Sequence, residues 1–294
     1  MLHNYSKVKL LIVPILVYSN IIRIESKHRL KNKEFGPNIV GGKSVALEKY
    51  PFAVQFFNLG ALCGGVIINS WSIMTSAHCF ENNKDIDEMK VQIGSKYIYD
   101  FNAKKHEVRS FVVHENYNEI IPFEKDIALI FVKEPIKFDS LAKKGILTNH
   151  DRWMNAKEKR FVVTGWGWQR YGGALSEMSL MMTYLRYVSV KECSRLHNIE
   201  LSEDMFCLYG DGVRDTCRGD SGGGVLWHGE LVGLTSHGDG CAKKGKPSVY
   251  TNLWYLRDWI KKQVYRFVSN YCREQLQSSR LGRMLTNNNV NNTI

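Results

Sequence analysis

From Ile39 onward the apolar residues arrive in short bursts, FAVQFF, GGVIIN, KVQIG, RSFVVH, IALIFV, RFVVTGW, GGVLW and ELVGLTS, punctuated by Gly, Asn and Asp. Bursts of this length, rich in Val, Ile and Phe, suit a pleated surface and predict strands. So many short strands with few helical periods exclude alternating α/β layers and predict an all-β sandwich or barrel. One helical period appears late: Trp254, Leu256, Ile260, Val264 and Val268 share a face, which predicts a helix over residues 254–268. Residues 269–294 are polar, end in NNNVNNTI, and read as a mobile tail with little structure of its own.

The N-terminus carries a different pattern. Lys7 and Lys9 precede an apolar run, and Val17 with Ser19 offers a cleavage site, so residues 1–19 read as an export signal and the protein as secreted and extracellular. A membrane anchor is the competing reading. The apolar stretch 10–22 contains Pro14 and falls short of the ~20 residues a spanning helix needs, so no stable membrane insertion is expected. The net charge of +11 raises the question of nucleic acid. Seven Lys/Arg against two Asp/Glu lie in residues 1–38, and the remaining excess is spread out, with no basic run interleaved with aromatics. The surface therefore reads as basic and solvated rather than as a nucleic-acid track; attraction to an acidic matrix is the competing reading.

Seven cysteines, Cys63, Cys79, Cys193, Cys207, Cys217, Cys241 and Cys272, fit an oxidising compartment in which three bridges form and one thiol is left over. From spacing alone many pairings are open. There is no CxxC pair and no His at ligand spacing, so neither a metal nor another cofactor is expected.

Three polar residues stand in settings suited to chemistry. His78 lies in TSAHC beside Cys79, Asp126 opens the apolar run DIALIFV, and Ser221 lies in CRGDSGGG, where glycines allow a sharp turn and close approach of a ligand. Each alone has a duller explanation: a half-buried imidazole, a strand-end cap, a turn hydroxyl. Together, in the order His, Asp, Ser, they supply a nucleophile, a base to deprotonate it and a carboxylate to orient the base.

With these motifs, and with IVGG at Ile39, GWG at Gly165 and KPSVYTNL, the sequence resembles the trypsin-like serine peptidase family over residues 39–268. The resemblance implies two packed six-stranded antiparallel β-barrels with a C-terminal α-helix and a site between the barrels. It implies a hydrolase that cleaves protein or peptide substrates through an acyl-enzyme on Ser221, and a zymogen whose residues 20–38 form a propeptide. By the same resemblance the main-chain N–H groups of Gly219 and Ser221 form an oxyanion hole, and Ser236 bonds the triad aspartate. Asp215, Gly238 and Ser248 shape the primary pocket, selecting Arg or Lys, while the amine of Ile39, freed by cleavage, pairs with Asp220. The family's bridges fall on Cys63–Cys79, Cys193–Cys207 and Cys217–Cys241. A further family bridge is absent, with Phe161 and Trp227 at its two positions, and proteinaceous inhibitors are expected partners.

The sequence departs from the family in four ways. Ser248 replaces a pocket-wall glycine, which predicts a narrowed pocket and reduced turnover. His237 replaces a tryptophan, which predicts a weaker apolar shelf for residues upstream of the cut. Asn38 precedes the cleavage point in place of Arg or Lys, which predicts an unusual activator. The stretch YDFNAKKHEVRS carries Lys104 and Lys105 where calcium-binding members place glutamates, so no calcium is expected. The alternative function is a weakly active or non-cleaving homologue that binds or regulates.

Overall fold

The computed structural model describes residues 39–98, 100–155, 160–172 and 179–291. The expected signal and propeptide lie outside the described residues. In chain order the elements are β1 (Lys43–Ser44), β2 (Ala53–Asn58), β3 (Ala61–Ile67), β4 (Ser72–Thr75), β5 (Met89–Ile93), β6 (Lys104–Val113) and β7 (Ala128–Val132). There follow β8 (Arg160–Gly165), β9 (Met181–Val188), α1 (Val190–His197), β10 (Met205–Tyr209), β11 (Gly224–Trp227), β12 (Glu230–His237), β13 (Ser248–Asn252) and α2 (Leu253–Asn291).

The strands close into two antiparallel barrels. The first runs β2-β3-β4-β7-β6-β5 and back to β2. The second runs β8-β9-β10-β13-β12-β11 and closes through β11–β8, with β1 added beside β9. Both expected six-stranded barrels are therefore present.

The period-two alternation of side chains explains how one strand serves two cores. In β7 every residue is buried. Ala128, Ile130 and Val132 point into the first barrel with Val54, Phe56, Ile67 and Val91. Leu129 and Phe131 face the other way, into a shared layer with Leu226, Leu231 and Leu234 of the second barrel and Leu253, Leu256 and Ile260 of α2. Phe161, Val163, Phe206, Val225 and Tyr250 fill the second barrel. At about 1.5–3 kcal/mol for each fully buried large apolar side chain, this layer fixes the barrels against each other, and with them the cleft they flank.

Three disulfides join the pairs that the resemblance implies, Cys63–Cys79, Cys193–Cys207 and Cys217–Cys241. Cys272 is free and exposed. Phe161 and Trp227, at the positions of the missing bridge, pack in the same apolar cluster.

The C-terminal helix differs from its sequence expectation in length and in face. It starts under an Asn252 side-chain cap, which accepts from the N–H groups of Trp254 and Tyr255, and it continues to Asn291, through most of the stretch expected to be an unstructured tail. Contact with the first barrel accounts for the helix as far as Glu274. Phe267 stacks on Phe131 at 4.1 Å, Tyr271 lies 4.6 Å from Trp71, and Arg109 sits over the Tyr271 ring while pairing with Glu274. The buried face carries Leu253, Leu256, Trp259 and Ile260, continued by Val264 and Phe267. Val268, assigned to that face by the sequence period, is 42% exposed.

Candidate active site

The site is built from the ends of strands of both barrels. His78 lies in the short turn Ala77–Phe80 after β4, and the Cys63–Cys79 bridge ties that turn to β3. Asp126 precedes β7 and is fully buried. Its Oδ1 accepts from the main-chain N–H of His78 at 3.0 Å; its Oδ2 lies 2.8 Å from His78 Nδ1 and accepts from Ser236 Oγ at 2.5 Å. Burial opposes ionisation of Asp126, but the charge and hydrogen bonds of His78, with the bond from Ser236, outweigh it and hold the carboxyl below its usual range. Burial likewise opposes the charged ring of His78, and the neighbouring Asp126 carboxylate overcomes it and raises the imidazole.

Ser221 joins His78 on the wall of a cavity of about 350 Å³. Its turn is wedged against the first barrel: Gly64 N–H donates to Ser221 C=O at 2.7 Å. A Cβ on Gly222 would lie 2.2 Å from Thr75 Oγ1 and 2.6 Å from Gly64 C=O, so only glycine fits there. Gly219 has φ +97°, a backbone that side chains rarely adopt.

The pocket floor is less simple than the sequence suggests. Gly238 and Ser248 line the cavity. Asp215 sits behind Ser248, 4% exposed, accepting from Ser248 Oγ at 2.7 Å, Thr216 N–H at 2.9 Å and Ala242 N–H at 2.8 Å. Burial pushes its carboxyl up to about 6. The Ser248 hydroxyl also crosses toward Gly238, where a Cβ would meet it at 2.9 Å.

Ile39 is fully buried in the core of the second barrel, and Val40 C=O accepts from Asp215 N–H at 3.1 Å. Ile39 holds φ +54°, an outlier for a β-branched residue. Asp220, fully buried, accepts from the N–H groups of Gly167 at 2.7 Å and Cys217 at 2.8 Å. No cation pairs with it among the described residues, and burial, with the Asp215 charge adding, pushes it up to about 7.

Six lining residues were not singled out from the sequence: Phe123, Tyr171, Thr216, Arg218, Thr235 and Gly240. Arg218 and Thr216 flank motif residues and were within reach of sequence reasoning. Phe123 and Tyr171 come from loops without a motif, and Phe123 stacks on His237 at 4.3 Å with its own φ at +63°. Cys63, His78 and Cys79 are close enough to surround a metal ion, but the two sulfurs are bonded to each other and offer no thiolate.

A sequence model described as Trypsin matches residues 39–260. The chain belongs to the trypsin family. It is 31% identical to a trypsin of Phaedon cochleariae over 238 residues, 79% of this chain and 91% of that one. It is 31% identical to trypsin epsilon of Drosophila erecta over 228 residues (76% and 86% of the two chains). With trypsin V-B of Rattus norvegicus it shares 29% over 229 residues (77% and 89%). Membership makes the chain a serine endopeptidase, a hydrolase whose substrates are proteins.

Proposed function

We propose that this chain is a secreted endopeptidase that hydrolyses peptide bonds after Arg or Lys through an acyl-enzyme on Ser221. The observation that carries this is the bonded array His78–Asp126–Ser236 beside a cavity that Ser221 also lines. With Nδ1 of His78 facing Asp126, its Nε2 is free to take the proton of Ser221 Oγ as that oxygen attacks the substrate carbonyl. The N–H groups of Gly219 and Ser221 receive the oxyanion, an interaction whose loss costs ~10²–10³ in rate per donor. The imidazolium returns its proton to the leaving amine, and water then releases the acyl group by the same steps.

Asp215 supports basic specificity, because an apolar side chain would leave its charge without a partner. Ser248 moderates it by satisfying the carboxylate from the protein side and narrowing the path to it, which supports slow turnover. The same observation favours the second reading, a weakly active or non-cleaving homologue. Three disulfides and the lysine-led apolar N-terminus support export, with residues 20–38 as a propeptide removed by a protease that accepts Asn38. Proteinaceous inhibitors that occupy the cleft are proposed partners.

The test is to express the chain beginning at Ile39 and compare Arg, Lys, Phe and Leu peptide substrates, with Ser221→Ala as control. Cleavage after Arg or Lys is expected. Preference for Phe or Leu would refute the role of Asp215, and inactivity on all four would favour the non-cleaving homologue.

A further inference from the structure

The array around Asp126 does not end at Ser236. Ser236 Oγ lies 2.5 Å from Asp126 Oδ2 and 3.1 Å from Nδ1 of His237, the last residue of β12. A hydroxyl has one proton, and an ionised carboxylate can only accept. The Ser236 proton therefore goes to Asp126, and the contact with His237 requires Nδ1 to carry the hydrogen and donate to Ser236 Oγ. The ring is fixed for this role by Phe123, which stacks on it at 4.3 Å and 17° and meets His78 edge-on at 5.9 Å.

We infer that His237 is a positioning residue for the reaction, its Nδ1–H polarising the Ser236 hydroxyl that holds Asp126 against His78. This rests on the peptidase reading above. A hydroxyl that accepts one hydrogen bond donates a stronger one, so Ser236 holds Asp126 Oδ2 more firmly at the place where it faces His78 Nδ1, and a loosened carboxylate would support the imidazolium less well. The titratable groups around His237 are Asp126, His78 and, on α1, His197; burial, the largest influence, keeps the ring neutral, pushed down to about 4. Neutrality leaves Nε2 as an acceptor, so one ring offers a donor toward Ser236 and an acceptor at its other edge.

Two substitutions separate the donor from the ring. His237→Phe keeps the stack on Phe123 and removes the N–H; His237→Asn keeps an N–H near the Nδ1 position and removes the ring. In the chain beginning at Ile39, His237→Phe is expected to lower kcat about threefold to tenfold with KM held, and to move the acid limb of kcat/KM down by about half a pH unit. His237→Asn is expected to restore both and to raise KM for extended peptides instead. Nitrogen-15 NMR of the Ser221→Ala protein at pH 7 should show the hydrogen of His237 on Nδ1. An Nε2–H tautomer, or a Phe variant with unchanged kcat and acid limb, would overturn the assignment while leaving the peptidase reading intact. An inactive parent chain would overturn both.

Discussion

Asp126 and Asp220 are both sealed from water, one beside each barrel's core, yet they end in opposite states. Asp126 meets the His78 ring, the His78 main-chain N–H and the Ser236 hydroxyl, and stays ionised. Asp220 meets two main-chain N–H groups and, among the described residues, no cation, and burial drives it up to about 7. Neutral amide donors alone do not hold a charge in a dry interior, whereas a partner able to become a cation does. In these terms the first carboxylate is held ionised and the second is without a counter-charge among the described residues; the proposed removal of residues 20–38 would supply one as the amine of Ile39.

The largest effect tests the ionised carboxylate. Asp126→Asn should lower kcat by about 10⁴ in the chain beginning at Ile39, because the amide favours the wrong imidazole tautomer; a loss below tenfold would show that His78 needs no charged partner. Next, Asp220→Asn in the same chain should cost about 10²–10³ in kcat, the scale of a disordered oxyanion hole. It should leave the uncut chain's residual activity unmoved, and equal losses in both forms would break the contrast. Ser236→Ala should lower kcat about tenfold by removing one charge-assisted bond to Asp126.

The smallest effect is in stability. In the uncut chain Asp220 titrates at about 7 when folded against ~3.9 when unfolded, so the folded state keeps a proton that the unfolded one has lost. Its contribution is greatest below ~4 and declines as pH rises to about 7. Asp126 has the opposite sign: its contribution is present above ~3.9 and is lost as pH falls through its lowered folded value. Asp215, raised to about 6, adds to the decline. His237, pushed down to about 4, and the lowered His106 and His114 oppose this decline over the same window, so the test is a difference: between pH 5 and 7.5 the melting temperature of the uncut Asp220→Asn chain should fall less, or rise more, than that of its parent. Equal shifts in parent and variant would place the charge balance elsewhere.

The ionised side of this contrast was legible in the sequence because its parts are motifs: His78 beside a cysteine, Asp126 opening an apolar strand, Ser221 among glycines. The barrels followed from short alternating segments. What escaped was set by distance in the chain. Phe123 joins His237 across a long loop, and nothing local marks the meeting. Ser248 was read as a wall group entering the pocket, but its bond to Asp215 required coordinates. The polar composition of residues 269–294 suggested a tail, whereas its one aromatic, Tyr271, continues the contact that Phe267 begins and lays this part of α2 along Trp71 and Phe131.

Ile39 adds a thermodynamic direction to the proposed cleavage. A left-handed conformation costs a β-branched residue about 1–3 kcal/mol, and that dihedral exists only while Asn38 remains attached. Once the 38–39 bond is hydrolysed, resealing it would require Ile39 to return to that conformation, disfavouring religation by about 5- to 150-fold beyond an unstrained junction. Under the maturation proposed above, the strained junction acts as a ratchet that lets cleavage proceed and resists its reversal even where a ligating enzyme is present.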